Sequence, residues 1–275
     1  YFQANGATDN FAKVTYARKL NEREFNFQPQ LGYISLNNPL NADEVLAVSY
    51  RYTYNGVEYQ VGEFSTDVNF DPTTPKVLFS KLLKNETIKT NLPTWNLMMK
   101  NIYSMGGYQI SRQNFKLDIF RIDDKTGVEM PLIREGSKTE LKQYIALTNL
   151  DQLNQQKERK PDGVFDFEAE NTPFTSYQTQ YDNQNNFPGS GSNSGLSNLV
   201  NNTNNGYVTV DPQNGRIIFP LIEPFGKDLA SKFNLPAEQA LADKYTYPQL
   251  YDSTKVVAQQ LFSDKNLYFI KGTYQ

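Results

Sequence analysis

Residues 50–61 read Tyr50-Arg51-Tyr52-Thr53-Tyr54-Asn55-Gly56-Val57-Glu58-Tyr59-Gln60-Val61, and this stretch decides how the surrounding chain folds. Asn-Gly is the preferred dipeptide of a two-residue type I′ turn, because both turn positions need a positive φ. The residues on either side alternate between aromatic or apolar side chains and polar or charged ones, which is the pattern of a β-strand. We therefore predict a long β-hairpin over residues 44–64 that turns at Asn55-Gly56.

The hairpin has two chemically different faces. The tyrosine face pairs Tyr54 with Val57, Tyr52 with Tyr59 and Tyr50 with Val61. The polar face carries Arg51, Thr53, Glu58 and Gln60. Cross-strand tyrosines usually pack beneath another layer, so we expect the tyrosine face to be buried and the polar face to be an exposed protein-contact surface. The alternative is that the tyrosines form an exposed sugar-binding platform.

The composition excludes several classes of chemistry. The 275 residues include no histidine and no cysteine, so the chain has no imidazole base, thiol nucleophile, disulfide or His/Cys metal site. A formal net charge of −3 lacks the positive excess that a nucleic-acid partner requires. The sequence contains no run of about 18 apolar residues, so no transmembrane helix is predicted. We expect no enzyme, no cofactor and no nucleic-acid partner.

Abundant tyrosine and phenylalanine, 18 of each, suit pleated sheets. We predict a mainly β fold, most simply a two-sheet sandwich with a few short peripheral helices, with an α+β arrangement as the alternative. Residues 1–3 resemble the remnant of an engineered cleavage tag, so residues 4–275 are expected to be a single soluble domain excised from a larger protein. The Asn/Gly/Ser-rich stretch 178–206 predicts a flexible insertion in a loop.

Local patterns predict the remaining elements. Strands are expected over residues 11–20, 31–36, 76–83, 115–123, 128–133, 144–147, 207–210, 216–220 and 266–274. Helices are expected over 95–105, after Pro224, from Pro236 to Tyr245 and over 256–261. Thr94 would cap the first helix, and Asp252 or Ser253 the last. Trp95, Met98, Met99 and Ile102 would form a core-facing stripe on the first helix.

Three acidic residues are the strongest candidates for a metal or catalytic site. In Asp162-Gly-Val-Phe-Asp166-Phe-Glu168, the last two carboxylates share one strand face and Asp162 lies in the preceding turn. A turn followed by a solvated strand is the favoured interpretation, while a calcium site and a glycosidase carboxylate pair are alternatives. Separately, Asp252-Ser253-Thr254 resembles an O-glycosylation acceptor pattern with Ser253 as acceptor, and helix capping explains it equally well.

Several longer strings carry a resemblance to one family. They are the hairpin segment 29–65, Lys81-Leu-Leu83, Leu92-Pro-Thr-Trp-Asn-Leu-Met-Met-Lys-Asn-Ile-Tyr-Ser104, Asp123-Asp-Lys-Thr-Gly127, Pro161-Asp-Gly-Val-Phe-Asp-Phe167, Asn214-Gly-Arg-Ile-Ile-Phe-Pro-Leu-Ile-Glu-Pro-Phe-Gly226 and Tyr251-Asp-Ser-Thr254. In content and order they resemble the SprA/Sov family, the gliding motility-associated outer-membrane translocon proteins of the type IX secretion system in Bacteroidota. None of these strings is a chemical signature.

The resemblance implies a soluble structural or interaction domain that supports protein export across the outer membrane, through pore closure, a vestibule or partner docking. The implied partners are other parts of the same translocon barrel, a PorV-like barrel protein, a periplasmic plug protein and secreted cargo. The fragment would lie in the periplasm or on the cell surface of an outer-membrane protein. The alternative function, suggested by the tyrosine row, is a surface glycan-binding module.

Overall fold

A computed structural model describes residues 11–28, 32–67, 73, 77–168 and 208–274. The internal contacts divide these residues into two compact units, one of residues 11–27 and 34–98 and the other of residues 28–33 and 99–274. The single-domain assignment of residues 4–275 stays a prediction. The expected tag remnant, residues 1–3, and the expected insertion, residues 178–206, both lie outside the described residues.

The first half of the chain forms small two-stranded sheets. The strands are β1 (Phe25–Gln28), β2 (Tyr33–Leu36), β3 (Leu46–Val48), β4 (Tyr50–Tyr54), β5 (Val57–Val61) and β6 (Lys81–Lys84). Here β1 pairs with β2, β3 with β6, and β4 with β5. Strand β4 thus follows β3 after Ser49 alone, and the chain passes from one small sheet directly into the next.

Two element predictions in this unit are wrong. Residues 11–20 form no strand. The predicted helix over 95–105 is instead a 3₁₀ turn, Pro93–Leu97, which ends when Met98 adopts an extended conformation. No side chain caps this turn, and 3₁₀ segments are usually short because their hydrogen-bond geometry is poorer than that of an α-helix. Trp95 is buried as the stripe requires, but Met98 is 46% exposed.

The second unit contains two three-stranded sheets. Its strands are β7 (Ile102–Ser104), β8 (Lys116–Ile122), β9 (Glu129–Met130), β10 (Val210–Asp211), β11 (Arg216–Ile218) and β12 (Tyr268–Thr273). One sheet has the order β10-β11-β7 and the other β12-β8-β9. The predicted strands over 115–123, 216–220 and 266–274 are therefore confirmed in position, with shorter bounds.

Short helices surround these sheets. They are α1 (Tyr144–Leu147), α2 (Lys227–Ala230), α3 (Gln239–Tyr245), α4 (Gln249–Asp252) and α5 (Lys255–Leu261), with further 3₁₀ turns at Pro236–Glu238 and Ser263–Lys265. The strand predicted over 144–147 is wrong, because α1 occupies it. At α5 the cap is Thr254, whose side chain accepts a hydrogen bond from the Val257 N–H, rather than Asp252 or Ser253.

One hydrophobic core serves both sheets of the second unit. Ile119 of β8 and Ile217 of β11 belong to the same buried cluster, to which the helical region adds Phe225 and Leu229. Strand β8 shows why: its residues alternate between buried and more accessible positions, as a strand with one covered face requires. The structure is mainly β with a few short helices, as predicted. Among the described helices, none has the length and apolarity needed to cross a membrane.

Candidate functional site

The hairpin adopts the predicted turn and register over residues 50–61, but it is shorter than the predicted 44–64, because β3 (Leu46–Val48) pairs with β6 instead. Asn55 and Gly56 have φ values of +50° and +77°, both in the left-handed region that a type I′ turn needs. The strands pair Tyr54 with Val57, Tyr52 with Tyr59 and Tyr50 with Val61. The faces defined from the sequence are therefore real surfaces of the folded hairpin.

The tyrosine face is exposed, so the prediction that it is buried is wrong. Tyr50, Tyr52, Tyr54 and Tyr59 have exposed fractions of 44, 47, 63 and 42%. The rings of Tyr52 and Tyr59 stack on each other, with centroids 5.2 Å apart and an angle of 17° between planes. Alternation separates two faces of a strand, but burial needs a second layer, and the described residues of this unit leave the tyrosine face uncovered.

The polar face holds an internal network centred on Arg51. Its Nε donates to Gln60 Oε1 at 2.8 Å, and its terminal nitrogen donates to Asp67 Oδ2 at 3.1 Å. Glu58 lies 3.7 Å from the Arg51 Nε, and the guanidinium carbon lies 5.0 Å from the centre of the Phe64 ring. Thr53 is exposed beside this network. The polar face is exposed as predicted, and its role in protein contact stays a prediction.

The acidic candidates lie in the second unit, where Asp166 and Glu168 are 8% and 1% exposed. The interpretation of this segment as a solvated strand is wrong. Asp166 Oδ2 accepts hydrogen bonds from the backbone N–H of Gln152 at 2.6 Å and of Leu153 at 2.9 Å. These backbone donors partly offset the free-energy cost of burying the carboxylate.

Asp151, which the sequence analysis missed, completes this arrangement. Its two carboxylate oxygens accept from the backbone N–H of Asp162 at 3.1 Å and of Gly163 at 2.9 Å. Burial raises the pKa of Asp166 to about 6, and burial also raises the pKa of Asp151. Through these hydrogen bonds, the two carboxylates join residues 151–153, which follow α1, to residues 162–166. No sequence motif marks Asp151, because its partners are backbone groups.

Glu168 is held by a different set of groups. Its Oε1 forms an ion pair with Lys157 Nζ, and Arg112 approaches the same oxygen at 3.9 Å. The backbone of Glu168 and Thr209 joins across the undescribed stretch, since the Thr209 N–H donates to the Glu168 carbonyl at 2.8 Å. Residues 168 and 209, on either side of that stretch, thus lie side by side.

The three acidic candidates do not gather around one point. The Asp162 side chain accepts from the Val164 N–H at 3.1 Å, a different partner from those of Asp166 and Glu168. In the described parts of the chain, no group of three or more acidic side chains is arranged to hold a metal ion. Ser253 Oγ donates to the Gln249 carbonyl at 2.5 Å, and its modification stays a prediction.

A cavity of about 210 Å³ lies beside the sheets of the second unit. Its apolar lining includes Tyr103, Phe115, Leu117, Ile217 and Ile270. Small-molecule sites usually have volumes of roughly 300–1,000 Å³, so this cavity is below their ordinary range. The side chains that line this cavity also pack in the hydrophobic core that the two sheets share.

The sequence was compared with models of protein families and with curated proteins, and neither comparison found a match.

Proposed function

We propose that this chain is a structural and interaction part of an outer-membrane translocon of the type IX secretion system, and that it supports protein export across the outer membrane. The family assignment rests on the long strings quoted above, which resemble the SprA/Sov family in content and order. The role of the domain is pore closure, formation of a vestibule or docking of a partner. It acts in the periplasm or at the cell surface.

The observation that supports an interaction role is the exposure of the tyrosine face. An aromatic side chain covers about 150–250 Å², so four tyrosines that are about half exposed present roughly 300–500 Å². Patches of this size on a monomer are commonly binding surfaces. On the polar face, by contrast, Arg51 is already engaged by Asp67 and Gln60. The tyrosine face is therefore the better contact surface, and the hydrogen bonds of the polar face stabilise the hairpin.

The partners of this surface are the protein classes that the resemblance implies. They are other parts of the translocon barrel, a PorV-like barrel protein, a periplasmic plug protein and secreted cargo. A neutral surface of phenol rings binds protein surfaces through packing and hydroxyl hydrogen bonds. Such contacts do not require a charged partner, which suits a surface that meets several proteins.

The test uses the full-length translocon with Tyr52 and Tyr59 both replaced by Ser. We expect a reduced amount of secreted cargo in the medium, or entry of a large antibiotic through an unsealed pore. The matched control replaces Tyr108, which is 81% exposed and lies outside the hairpin. Unchanged secretion and unchanged sealing in the double variant, at normal levels of the translocon, contradict the proposed role.

A glycan-binding module is the second candidate, and the exposed tyrosine row is the observation that favours it. Sugar platforms present flat ring faces to the ligand. Tyr52 and Tyr59 instead stack on each other, so one face of each ring is covered by its neighbour. Binding on a glycan array that disappears in Tyr54→Ala, the most exposed of these tyrosines, would support this candidate over protein contact.

A further inference from the structure

The outer edge of β4 carries main-chain hydrogen-bonding groups that pair with no other strand among the described residues. Within the described strands, β4 pairs with β5 alone. A two-residue hairpin closes on a hydrogen-bonded pair, here Tyr54 and Val57, and such pairs then recur at every second residue. The main-chain N–H and C=O groups of Arg51 and Thr53 consequently point away from β5. These groups are the ones that an additional strand would meet.

The tyrosines of β4 are placed symmetrically about its central residue. The strand reads Tyr-Arg-Tyr-Thr-Tyr over residues 50–54, so a second β4 running antiparallel around Tyr52 matches tyrosine with tyrosine. In that register Tyr50 faces Tyr54 of the second copy, and Arg51 faces Thr53 of the second copy. The outward main-chain groups of Arg51 and Thr53 then meet each other as hydrogen-bonded pairs, as an antiparallel ladder requires.

The charges favour this register over its neighbour. Like charges directly opposite each other destabilise a pair of strands. A shift by two residues in one direction would place Arg51 opposite Arg51 of the second copy, whereas the proposed register gives each Arg51 a neutral threonine. Every residue of β4 and all but the last residue of β5 are exposed, so a second strand can approach this edge.

We propose that β4 pairs with β4 of a second copy of this chain, antiparallel and with the two-fold axis at Tyr52. The product is a four-stranded sheet, β5-β4-β4-β5, with a continuous tyrosine face. A contact of five residues per copy is far below the roughly 800 Å² per partner of a stable interface. The pairing is therefore weak and becomes populated where copies are concentrated. It is independent of the proposed export role and can be tested on this chain alone.

Disulfide trapping with Tyr52→Cys tests the register directly. The pair on the two-fold axis is a non-hydrogen-bonded pair, whose Cα atoms lie about 4.5 Å apart, within the range that a disulfide spans. The natural chain contains no cysteine, so the introduced thiol is the only one present. We expect a disulfide-linked dimer on a non-reducing gel after mild oxidation.

Tyr59→Cys is the matched control, because Tyr59 lies opposite Tyr52 on the same exposed face. In the proposed sheet the two copies of residue 59 are three strand spacings apart, about 14 Å, and cannot be bridged. Tyr52→Cys should form dimers at least about tenfold faster than Tyr59→Cys. Equal rates in the two variants would show random collision and overturn the proposal.

A second pair of variants separates edge pairing from general damage to the hairpin. Thr53→Pro, made in the Tyr52→Cys background, removes an outward N–H from the β4 edge and should abolish the fast trapping. Glu58→Pro makes the same change directly across the hairpin, on the β5 edge, and should leave trapping unchanged. If Thr53→Pro traps as fast as Glu58→Pro, the β4 edge is not the contact and the proposal fails.

Discussion

Asp151 and Asp166 each hold the chain segment that carries the other. The Asp151 carboxylate accepts from the N–H groups of Asp162 and Gly163, shortly before Asp166. The Asp166 carboxylate accepts from the N–H groups of Gln152 and Leu153, directly after Asp151. Two loops without regular secondary structure are thereby fixed to each other, and the order of residues 150–168 depends on both side chains.

Truncation of Asp166 should strongly destabilise the fold. Asp166→Ala leaves the buried N–H groups of Gln152 and Leu153 without acceptors, which costs about 2–3 kcal/mol in the free energy of unfolding. Urea denaturation measures this change. Asp162→Ala is the control, because it removes a carboxylate with a single local hydrogen bond at an exposed turn. Equal losses in the two variants would contradict the role assigned to Asp166.

The stability contributed by Asp166 should fall as the pH rises. Its pKa increases from an ordinary 3.8 to about 6 on folding, chiefly because burial disfavours the charged form. The contribution is therefore fully present below pH 3.8 and is lost as the pH passes about 6. This rise in the pKa of Asp166 corresponds to roughly 3 kcal/mol of stability at most.

The Asp166→Asn variant isolates this titration, because asparagine does not ionise. The unfolding free energy of the natural chain, minus that of the variant, should fall by about 1–3 kcal/mol between pH 4 and pH 7. Urea denaturation at a series of pH values gives the difference. A difference that stays constant over this range would show that Asp166 titrates alike in the folded and unfolded chain.

Gly272→Ala should disrupt the pairing of β12 with β8. A Cβ at residue 272 would lie 2.2 Å from the Lys116 carbonyl oxygen, which is main chain and cannot rotate away. We expect a loss of at least about 2–3 kcal/mol, as for other overpacked sites. Gly106→Ala is the control: its Cβ would meet nothing within 4 Å, and only its positive φ adds a cost of about 1–2 kcal/mol. Thermal unfolding of both variants should show the larger loss of stability for Gly272→Ala.

Arg121 should not be replaceable by lysine. Its buried guanidinium donates to Asp124 at 2.9 Å and to the Lys244 carbonyl at 3.0 Å, and it lies 4.9 Å from the centre of the Tyr245 ring. Arg121→Lys loses the planar group that makes these contacts together, at a cost of about 2–3 kcal/mol. Arg134→Lys, at an exposed position, should change stability by less than about 0.5 kcal/mol. Denaturation experiments that show similar losses of stability for Arg121→Lys and Arg134→Lys would contradict the role assigned to the Arg121 guanidinium.

Thr254 rather than Ser253 should determine the start of α5. Thr254→Ala removes the acceptor of the Val257 N–H, and a lost N-cap costs about 1 kcal/mol. Ser253→Ala should cost less, because the Gln249 carbonyl keeps the hydrogen bond from the Ser253 N–H. Thermal unfolding compares the two substitutions, and a larger loss for Ser253→Ala would reverse the assignment.

Elements with a local cause could be predicted from the sequence. The hairpin over residues 50–61 is one, and the strand at 116–122 is another, because alternation and turn residues act within a few positions. The helix over 95–105 and the strand at 144–147 were mispredicted. Helical spacing and an apolar run of four residues are compatible with several structures, and long-range packing selects among them.

The candidate sites likewise have some features that the local sequence predicts and others that depend on tertiary packing. The register that places Tyr52 beside Tyr59 follows from Asn55-Gly56, because this dipeptide supplies the positive φ at both positions of a two-residue type I′ turn. Which face of that hairpin is covered depends on what packs against it, and the tertiary structure leaves the tyrosines exposed. The burial of Asp166 is likewise a tertiary result, since its partners are backbone N–H groups about a dozen residues away, which carry no mark in the sequence.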